Sequence, residues 1–223
     1  MRHSIVVAAA LFAAMPAHAD WSGKGEAGLV IASGNTETET ANAKVQLANE
    51  IDQWKHQFGA AGLYASSEAE GTTARRWEAF AQSDYNFSPK TFWFGALRYE
   101  DDEFSGFEYQ ATVSTGIGRK FIDTDVTKFT GTAGVGYKFF ETQDAFDDAG
   151  VLIEPGDTDS EAVFRGTLDF EHQFTETTSL LDKFIVEAGA DNTYVQNDLS
   201  LQVKMTNVLA LAVGYSVRHN TDP

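Results

Sequence analysis

Ionisable side chains recur at every second position along several stretches of the sequence, and these rows hold the residues best suited to chemistry. Between residues 193 and 205, Asp198 and Lys204 belong to a polar row that alternates with an apolar row containing Leu199 and Leu201. Alternate positions share one face of a β-strand. The main candidates on such polar faces are Lys44, Glu78, Arg98, Lys138, Arg165, Asp169, Asp198 and Lys204, joined by Lys24, Glu26, Asp84, Glu100, Glu171 and Arg218.

Both signs of charge occur in this set, which allows two arrangements if the strands close into a barrel. The charged rows would either fill the interior as an ion-pair network or line a narrow pore. Isolated charges in a confined space are costly because they lose their hydration. We therefore predict that these residues line the lumen, and a mostly filled lumen is the favoured hypothesis.

No arrangement of nucleophiles, bases or metal ligands stands out. His56, His172 and His219 lie in separate segments, without the H-x-x-x-H spacing of a zinc site. Cysteine is absent, which excludes disulfides and thiolate metal ligands. His219 lies near Asp222, a combination that barrel proteases use, but an isolated solvated histidine is the favoured interpretation. We predict no catalytic residue, no dedicated metal site and no cofactor.

Carboxylates cluster in two connections between the predicted strands. One cluster is the run from Glu100 to Glu103, and the other is spread over residues 144–159. Such clusters can bind Ca²⁺ or Mg²⁺ weakly, and divalent cations would be needed to bridge them to lipopolysaccharide phosphates. Their spacing does not match an EF-hand loop, so a solvated loop is the favoured alternative.

Eleven segments have the alternation of β-strands, and each is about 11 to 15 residues long. Strands of soluble proteins usually have about five or six residues, whereas a tilted membrane-crossing strand needs about 9–11. The lengths therefore predict an all-β fold, an antiparallel up-and-down transmembrane β-barrel. The segments are 21–33, 38–50, 54–66, 75–87, 91–103, 107–121, 126–140, 160–174, 178–189, 193–205 and 208–219. Segment 178–189 fits worst, because its apolar residues fall on both faces.

The connections between these segments alternate in length. Membrane barrels combine short periplasmic turns with longer external loops. With the N-terminus in the periplasm, all of the longer connections fall outside the cell. The short connections are 52–53, 88–90, 122–125, 175–177 and 206–207, and the longer ones are 34–37, 67–74, 101–106 and 141–159.

Aromatic residues gather near both sets of connections, which predicts two interfacial girdles. The candidates near the short turns are Trp21, Trp54, Phe87, Phe92, Trp93, Phe121 and Phe174. The candidates near the longer loops are Tyr64, Trp77, Phe104, Phe107, Phe139, Phe140, Phe164 and Tyr194.

The N-terminal residues 1–19 have the features of a cleaved signal peptide: Arg2, an apolar run over 5–15, and the Ala17-His18-Ala19 cleavage pattern. The apolar run is too short for a membrane anchor. Residues 20–223 then form an exported outer-membrane β-barrel domain. The net charge of -17 argues against a general nucleic-acid-binding surface.

An odd number of strands is unexpected, because single-chain bacterial barrels use an even number and an open edge is not viable in lipid. We therefore expect a twelfth strand beyond residue 223, so that the sequence would be truncated at its C-terminus. The alternative is that one segment has been merged or split.

Both ends of the predicted mature chain carry a family signature. Trp21, Gly23, Gly28, Gly34, Asn35 and Thr36 form the pattern W-x-G-x4-G-x5-G-N-T, and residues 214–223 read GYSVRHNTDP. These motifs resemble the YdiY-like salt-induced outer-membrane protein family, whose function is undefined. The resemblance implies an outer-membrane β-barrel with a further strand after the last loop, and it implies no catalytic residues.

Three functions are compatible with these features. The favoured one is a non-enzymatic outer-membrane barrel, structural or narrow-pore, which only the resemblance links to salt or osmotic stress. Its partners would be outer-membrane lipid, lipopolysaccharide, the barrel-assembly machinery and periplasmic chaperones. The alternatives are a barrel enzyme at the cell surface, which needs a clustered nucleophile and base, and a soluble ligand-binding β-barrel with its apolar face inside.

Overall fold

The computed structural model describes residues 5–7, 21–32, 38–147, 150–190, 192–206 and 210–221. Within these ranges all regular secondary structure is β-strand, and they contain no helix long and apolar enough to cross a membrane. Several predicted features fall outside the described residues: most of the signal peptide with its cleavage site, the Gly34-Asn35 turn, and Asp148, Asn207 and Asp222.

The described strands occur in the following order along the chain. They are β1 (Ile5–Val7), β2 (Trp21–Ala32), β3 (Thr38–Ile51), β4 (Trp54–Ser67), β5 (Gly71–Asn86), β6 (Thr91–Asp102), β7 (Phe107–Asp123), β8 (Thr127–Thr142), β9 (Ala145–Phe146), β10 (Leu152–Glu154), β11 (Thr158–Gln173), β12 (Thr178–Ala188), β13 (Thr193–Lys204) and β14 (Ala210–Asn220).

Each long strand pairs antiparallel with its neighbours in the chain, in a single sheet ordered β1 to β8 and then β11 to β14. The small β9–β10 hairpin stands apart, inside the connection between β8 and β11. Among the described residues the long strands number eleven and match the predicted segments. The largest difference is at the start of β5, which begins at Gly71 rather than residue 75. The predicted all-β, antiparallel up-and-down fold is confirmed.

The sheet curls so that side chains from distant strands meet across its interior, which we call the lumen. Lys24 Nζ on β2 donates a hydrogen bond to Gln202 Oε1 on β13 at 3.2 Å. Arg218 Nη2 on β14 likewise donates to Glu78 Oε1 on β5 at 3.0 Å. The curvature follows from the twist of long antiparallel strands with one polar and one apolar face.

The polar rows face the lumen and the apolar rows face outward, which inverts the pattern of a water-soluble protein. Glu100, Lys138 and Glu187 are almost completely buried, whereas Val113 and Val135 are exposed on the outer face. The burial follows from strand alternation, since each strand places every second side chain inside.

Four of the predicted girdle aromatics lie inside the lumen instead, so this part of the girdle prediction is wrong. They are Phe92, Phe107, Phe140 and Tyr194, each 8% exposed or less. Phe92, Phe140 and Tyr194 occupy the same rows as the lumen charges. A register shift lies between Phe107 and Tyr109, and it reverses which side chains point inward at this end of the strand. Phe107 therefore points into the lumen. Others, such as Trp77 and Phe121, are exposed as predicted.

The strand with apolar residues on both faces, β12, is regular throughout. Its lumen row contains Leu181, Lys183, Ile185 and Glu187, and Ile185 is buried there. The mixed pattern therefore comes from apolar side chains that pack inside the lumen.

Glycines opposite lumen phenylalanines make room for the rings. Gly118 pairs with Phe92 and Gly59 pairs with Phe80 across neighbouring strands. A Cβ at either glycine would collide with the phenylalanine ring opposite. Each ring thus occupies the space that a side chain at the glycine would fill, and an aromatic ring opposite a glycine can compensate for the missing side chain in a sheet.

We expect Gly118→Ala to destabilise the fold by about 1–3 kcal/mol, because the added methyl group overpacks the lumen against Phe92. Urea titration of the refolded protein measures this change in the free energy of unfolding. Gly25→Ala is the matched control, since a Cβ there meets nothing within 4 Å. Adding Phe92→Ala to the Gly118 variant should reduce the penalty of the glycine substitution, and equal penalties with and without Phe92 would contradict the packing explanation.

Candidate functional site

A cluster of charged and polar side chains occupies the lumen in the half nearer the longer connections. It forms because the lumen rows of β5, β6, β11, β12, β13 and β14 all place long polar side chains at this level. We call it the charge cluster, and it consists of Glu78, Arg98, Glu100, Arg165, Glu187, Tyr194 and Arg218.

Arg98 on β6 is the centre of the charge cluster. Its guanidinium contacts the carboxylate of Glu100, and it lies 3.7 Å from Glu78 Oε2 and 3.8 Å from Glu187 Oε2. Its Nη2 also donates to the Tyr194 hydroxyl at 2.6 Å, and the guanidinium carbon lies 4.5 Å from the centre of the Tyr194 ring. One cation thus joins three carboxylates and an aromatic ring.

Two further arginines balance these carboxylates. Arg165 Nε lies 3.3 Å from Glu187 Oε1, and Arg218 Nη2 lies 3.0 Å from Glu78 Oε1. The cluster therefore contains three guanidinium groups and three carboxylates, with a formal charge of zero. Buried ions need this balance, because an uncompensated charge away from water is costly.

The contacts of the cluster cross the lumen rather than follow one wall. Arg98 and Tyr194 are 96 residues apart, and Arg218 and Glu78 are 140 residues apart. Thr112 on β7 donates a hydrogen bond to Glu187 Oε2 at 3.2 Å, so β7 also contributes a side chain to these contacts. Side chains from distant strands thus contact one another across the lumen at this level.

Lys138 is buried beside the charge cluster, toward the longer connections. It is 1% exposed, and its ammonium lies 5.4 Å from the Phe107 ring centre and 5.6 Å from the Phe140 ring centre. Its partner in the strand register is Glu161, which is also buried. Aromatic faces and a nearby carboxylate therefore surround this buried cation.

A cavity of about 480 Å³ lies in the lumen below the cluster, toward the short turns. We call it the chamber. Glu78, Arg98 and Arg165 line its upper end, and Lys55 and Lys128 line its lower end near the short turns. The lumen thus contains two regions, the charge cluster and this polar chamber.

The structure brings most of the predicted lumen residues into these two regions. Glu78, Arg98 and Arg165 belong to the charge cluster, Lys138 lies beside it, and Lys44, Asp169 and Asp198 line the chamber. Lys204 shares the lumen row of β13 but is exposed at the last position of that strand, and it lines neither region.

Sequence reasoning missed Glu187 as a lumen residue and assigned Tyr194 to a girdle. Glu187 lies two positions after Ile185 and four after Lys183, so the odd row of β12 would have indicated it once apolar lumen residues were allowed. Tyr194 is four positions before Asp198 and shares its polar row, so strand alternation would have indicated that it faces the lumen.

Two histidines form hydrogen bonds with hydroxyl groups near the short turns. His56 Nδ1 lies 2.8 Å from Ser83 Oγ, and His172 Nδ1 lies 2.8 Å from Thr127 Oγ1. Both histidines stack on aromatic neighbours, His56 on Trp54 at a centroid distance of 5.8 Å. Sequence reasoning had treated these histidines as isolated residues. Asp222, the partner considered for His219, lies outside the described residues.

The acidic connections form no metal-ligand set among the described residues, where no group of three or more His, Cys, Asp or Glu side chains is placed to hold an ion. Asp101 accepts a hydrogen bond from Trp77 Nε1 at 3.1 Å, and Asp144 accepts one from the backbone N–H of Gly156 at 2.7 Å. Weak divalent cation binding by these loops remains a prediction.

We expect Arg98→Ala to lower the free energy of unfolding by about 3–5 kcal/mol, because it leaves buried carboxylates without their shared cation. Urea titration measures the loss. Arg75→Ala is the control: its ion pair with Glu103 is solvent-exposed and contributes less than about 1 kcal/mol. Equal losses in the two variants would contradict the central role of Arg98.

Comparison with known proteins gives one curated relative and one family. The chain is 23% identical over 205 residues to the uncharacterized protein YdiY of Escherichia coli (strain K12), a match that covers 91% of this chain and 75% of that protein. No solved structure matches the chain. Residues 25–223 match the family described as a protein of unknown function, DUF481. The chain therefore belongs to the DUF481 family, as the resemblance to YdiY-like proteins implied.

Proposed function

We propose that this protein is a non-enzymatic β-barrel of the outer membrane whose lumen is closed at one level by the charge cluster. Its role is then structural, with conduction limited to whatever narrow path remains around the cluster. The observation that carries the proposal is the inverted burial, with charged side chains inside and large apolar side chains outside. A lipid environment accounts for both faces at once.

The outer face supports membrane insertion more strongly than a soluble fold. Val113, Ile117 and Val135 follow one another around β7 and β8 and are 50%, 49% and 64% exposed. Water-soluble monomers rarely leave such contiguous apolar surface uncovered. A soluble ligand-binding barrel would instead require an apolar interior, whereas Arg98, Lys138 and other ions occupy this one.

The proposed orientation puts the short turns in the periplasm and the longer connections outside the cell. The outer aromatic residues would then contact lipid and lipopolysaccharide at the two interfaces. Periplasmic chaperones and the barrel-assembly machinery would deliver the exported chain. Divalent cations would bridge the acidic outer connections to lipopolysaccharide phosphates.

A barrel enzyme is the less well supported alternative. The observation that most favours an enzyme is the 2.8 Å contact between His56 Nδ1 and Ser83 Oγ on the outer face. Acyl transfer also needs an oriented base and oxyanion donors. Among the described residues no carboxylate hydrogen-bonds to His56, and Ser83 lies inside a continuous ladder between β4 and β6. The contact between His172 and Thr127 has the same geometry without a serine nucleophile, so we assign both pairs to sheet stabilisation.

A link to salt or osmotic stress is part of the proposal and is motivated by the family resemblance alone. Deletion of the gene should lower growth in high-salt medium relative to low-salt medium, and expression of the intact protein should restore it. Equal growth of the deletion and parent strains in both media would remove this part of the proposal.

Planar-bilayer recording tests the closed lumen. We expect the purified protein to give little or no conductance, and Arg98→Ala combined with Tyr194→Ala to give larger discrete steps, because the hydrogen bond and the cation–π contact that join these two residues across the lumen are lost. Arg75→Ala, on the exposed surface, should behave like the unsubstituted protein. Wide steps from the unsubstituted protein would contradict closure by the cluster.

Protease treatment of whole cells tests location and orientation together. The connection over residues 143–157 carries the exposed β9–β10 hairpin and should be cut in intact cells. The short turn at 88–90 should be cut only after the outer membrane is broken. Protection of the hairpin in intact cells would contradict the proposed orientation.

A further inference from the structure

The chamber has the size and access of a small-molecule site. Its volume of about 480 Å³ lies within the range of about 300–1,000 Å³ that is typical of ligand pockets. The charge cluster closes its upper end, while Lys55 and Lys128, each the second residue of its strand, line its lower end. A ligand would therefore enter from the side of the short turns.

The chamber carries nearly balanced charge, with eight Lys and Arg and seven Asp and Glu among its lining residues. A purely anionic or purely cationic ligand would meet almost as many repulsive groups as attractive ones. A ligand with both charges can use both sets, provided that the two signs are separated in space.

The two signs are unevenly distributed across the chamber, so that its opposite walls differ in net charge. The wall formed by β2, β3 and β4 carries three lysines and one carboxylate, which are Lys24, Lys44, Lys55 and Glu26. The wall formed by β11, β12 and β13 carries three lumen-row carboxylates and two cations, which are Asp169, Glu171, Asp198, Arg165 and Lys183, so it is net negative where the first wall is net positive. Strands β3 and β11 are six places apart in the sheet order, so these walls face each other across the curl.

Two of these groups are available to a ligand. Lys44 and Asp169 make no side-chain hydrogen bond and no ion pair within 4 Å with any described residue. Lys183, the nearest cation to Asp169 in the register, is instead directed at the Phe80 ring, 5.1 Å from its centre. The chamber thus differs from the charge cluster, where the three carboxylates each contact a guanidinium.

We propose that the chamber binds a small zwitterion of the amino acid or short peptide class. Its carboxylate would be held by Lys44 on the lysine-bearing wall, and its ammonium group by Asp169 on the carboxylate-bearing wall. Charge-assisted hydrogen bonds at both ends supply the affinity and the selectivity. The proposal goes beyond the proposed function, and it holds for the folded protein whether or not the lumen conducts.

Three peptides that differ only in their end groups test this proposal by calorimetric titration of the folded protein. Triglycine carries both charges, N-acetyltriglycine only the carboxylate, and triglycine amide only the ammonium group. We expect triglycine to bind at least about tenfold more tightly than either capped peptide, because each capped peptide loses one charge-assisted contact. A capped peptide that binds as tightly as triglycine would overturn the proposal.

Substitutions in the two walls then assign the contacts. Lys44→Met should weaken triglycine binding about tenfold and leave triglycine amide unaffected, since the amide has no carboxylate to lose. Asp169→Asn should weaken triglycine and leave N-acetyltriglycine unaffected. Lys204→Met is the matched control, because this lysine lies in a lumen row but does not line the chamber.

Circular dichroism and a cooperative unfolding transition establish that each variant is folded before titration. No measurable heat with triglycine from folded, unsubstituted protein would overturn the proposal, as would equal weakening by Lys44→Met and Lys204→Met. Bilayer recordings are independent of these results, so failure of ligand binding and failure of the closed-lumen proposal are distinguishable.

Discussion

The burial of the Arg98 guanidinium among three carboxylates is the constraint on which the lumen depends. Neither the guanidinium nor the carboxylates could be buried here without the other, since an unpaired buried ion is strongly destabilising. Arg98 therefore needs Glu78, Glu100 and Glu187, and these need Arg165 and Arg218 in turn. The strands that carry these groups must keep one register and one curvature for the set to meet.

The need to pair buried charges also affects how charge is distributed between the interior and the surface of the whole molecule. Of its 16 Lys and Arg residues, eight line the chamber and Lys138 and Arg218 lie in the lumen beside it, so more than half of the cationic side chains face the interior. The net charge of -17 is therefore carried mainly by the outer connections and rims. The interior is close to neutral, the outer wall is apolar, and the longer connections are acidic.

Much of the fold could be predicted from the sequence because strand alternation is a local property. A period of two over 11 or more residues indicates which strands exist and which face of each is polar. The arrangement inside the lumen could not be predicted in the same way. Contacts such as Arg98 with Tyr194 depend on how far neighbouring strands are staggered around the curl, and no single segment carries that information. Phe107 is a second example, because a register shift reverses its facing.

The pairing of every long strand with its neighbour in the chain has a consequence for the order of assembly. Such hairpins need only local loop closure, which is entropically inexpensive and fast. The charge cluster needs the opposite, since Arg218 belongs to β14 and its carboxylate partner Glu78 to β5. Until β14 arrives, Glu78 lacks this partner and keeps its hydration. Completion of the cluster is thus a late, cooperative step, and the docking of β14 separates a hydrated intermediate from a state in which the cluster is complete.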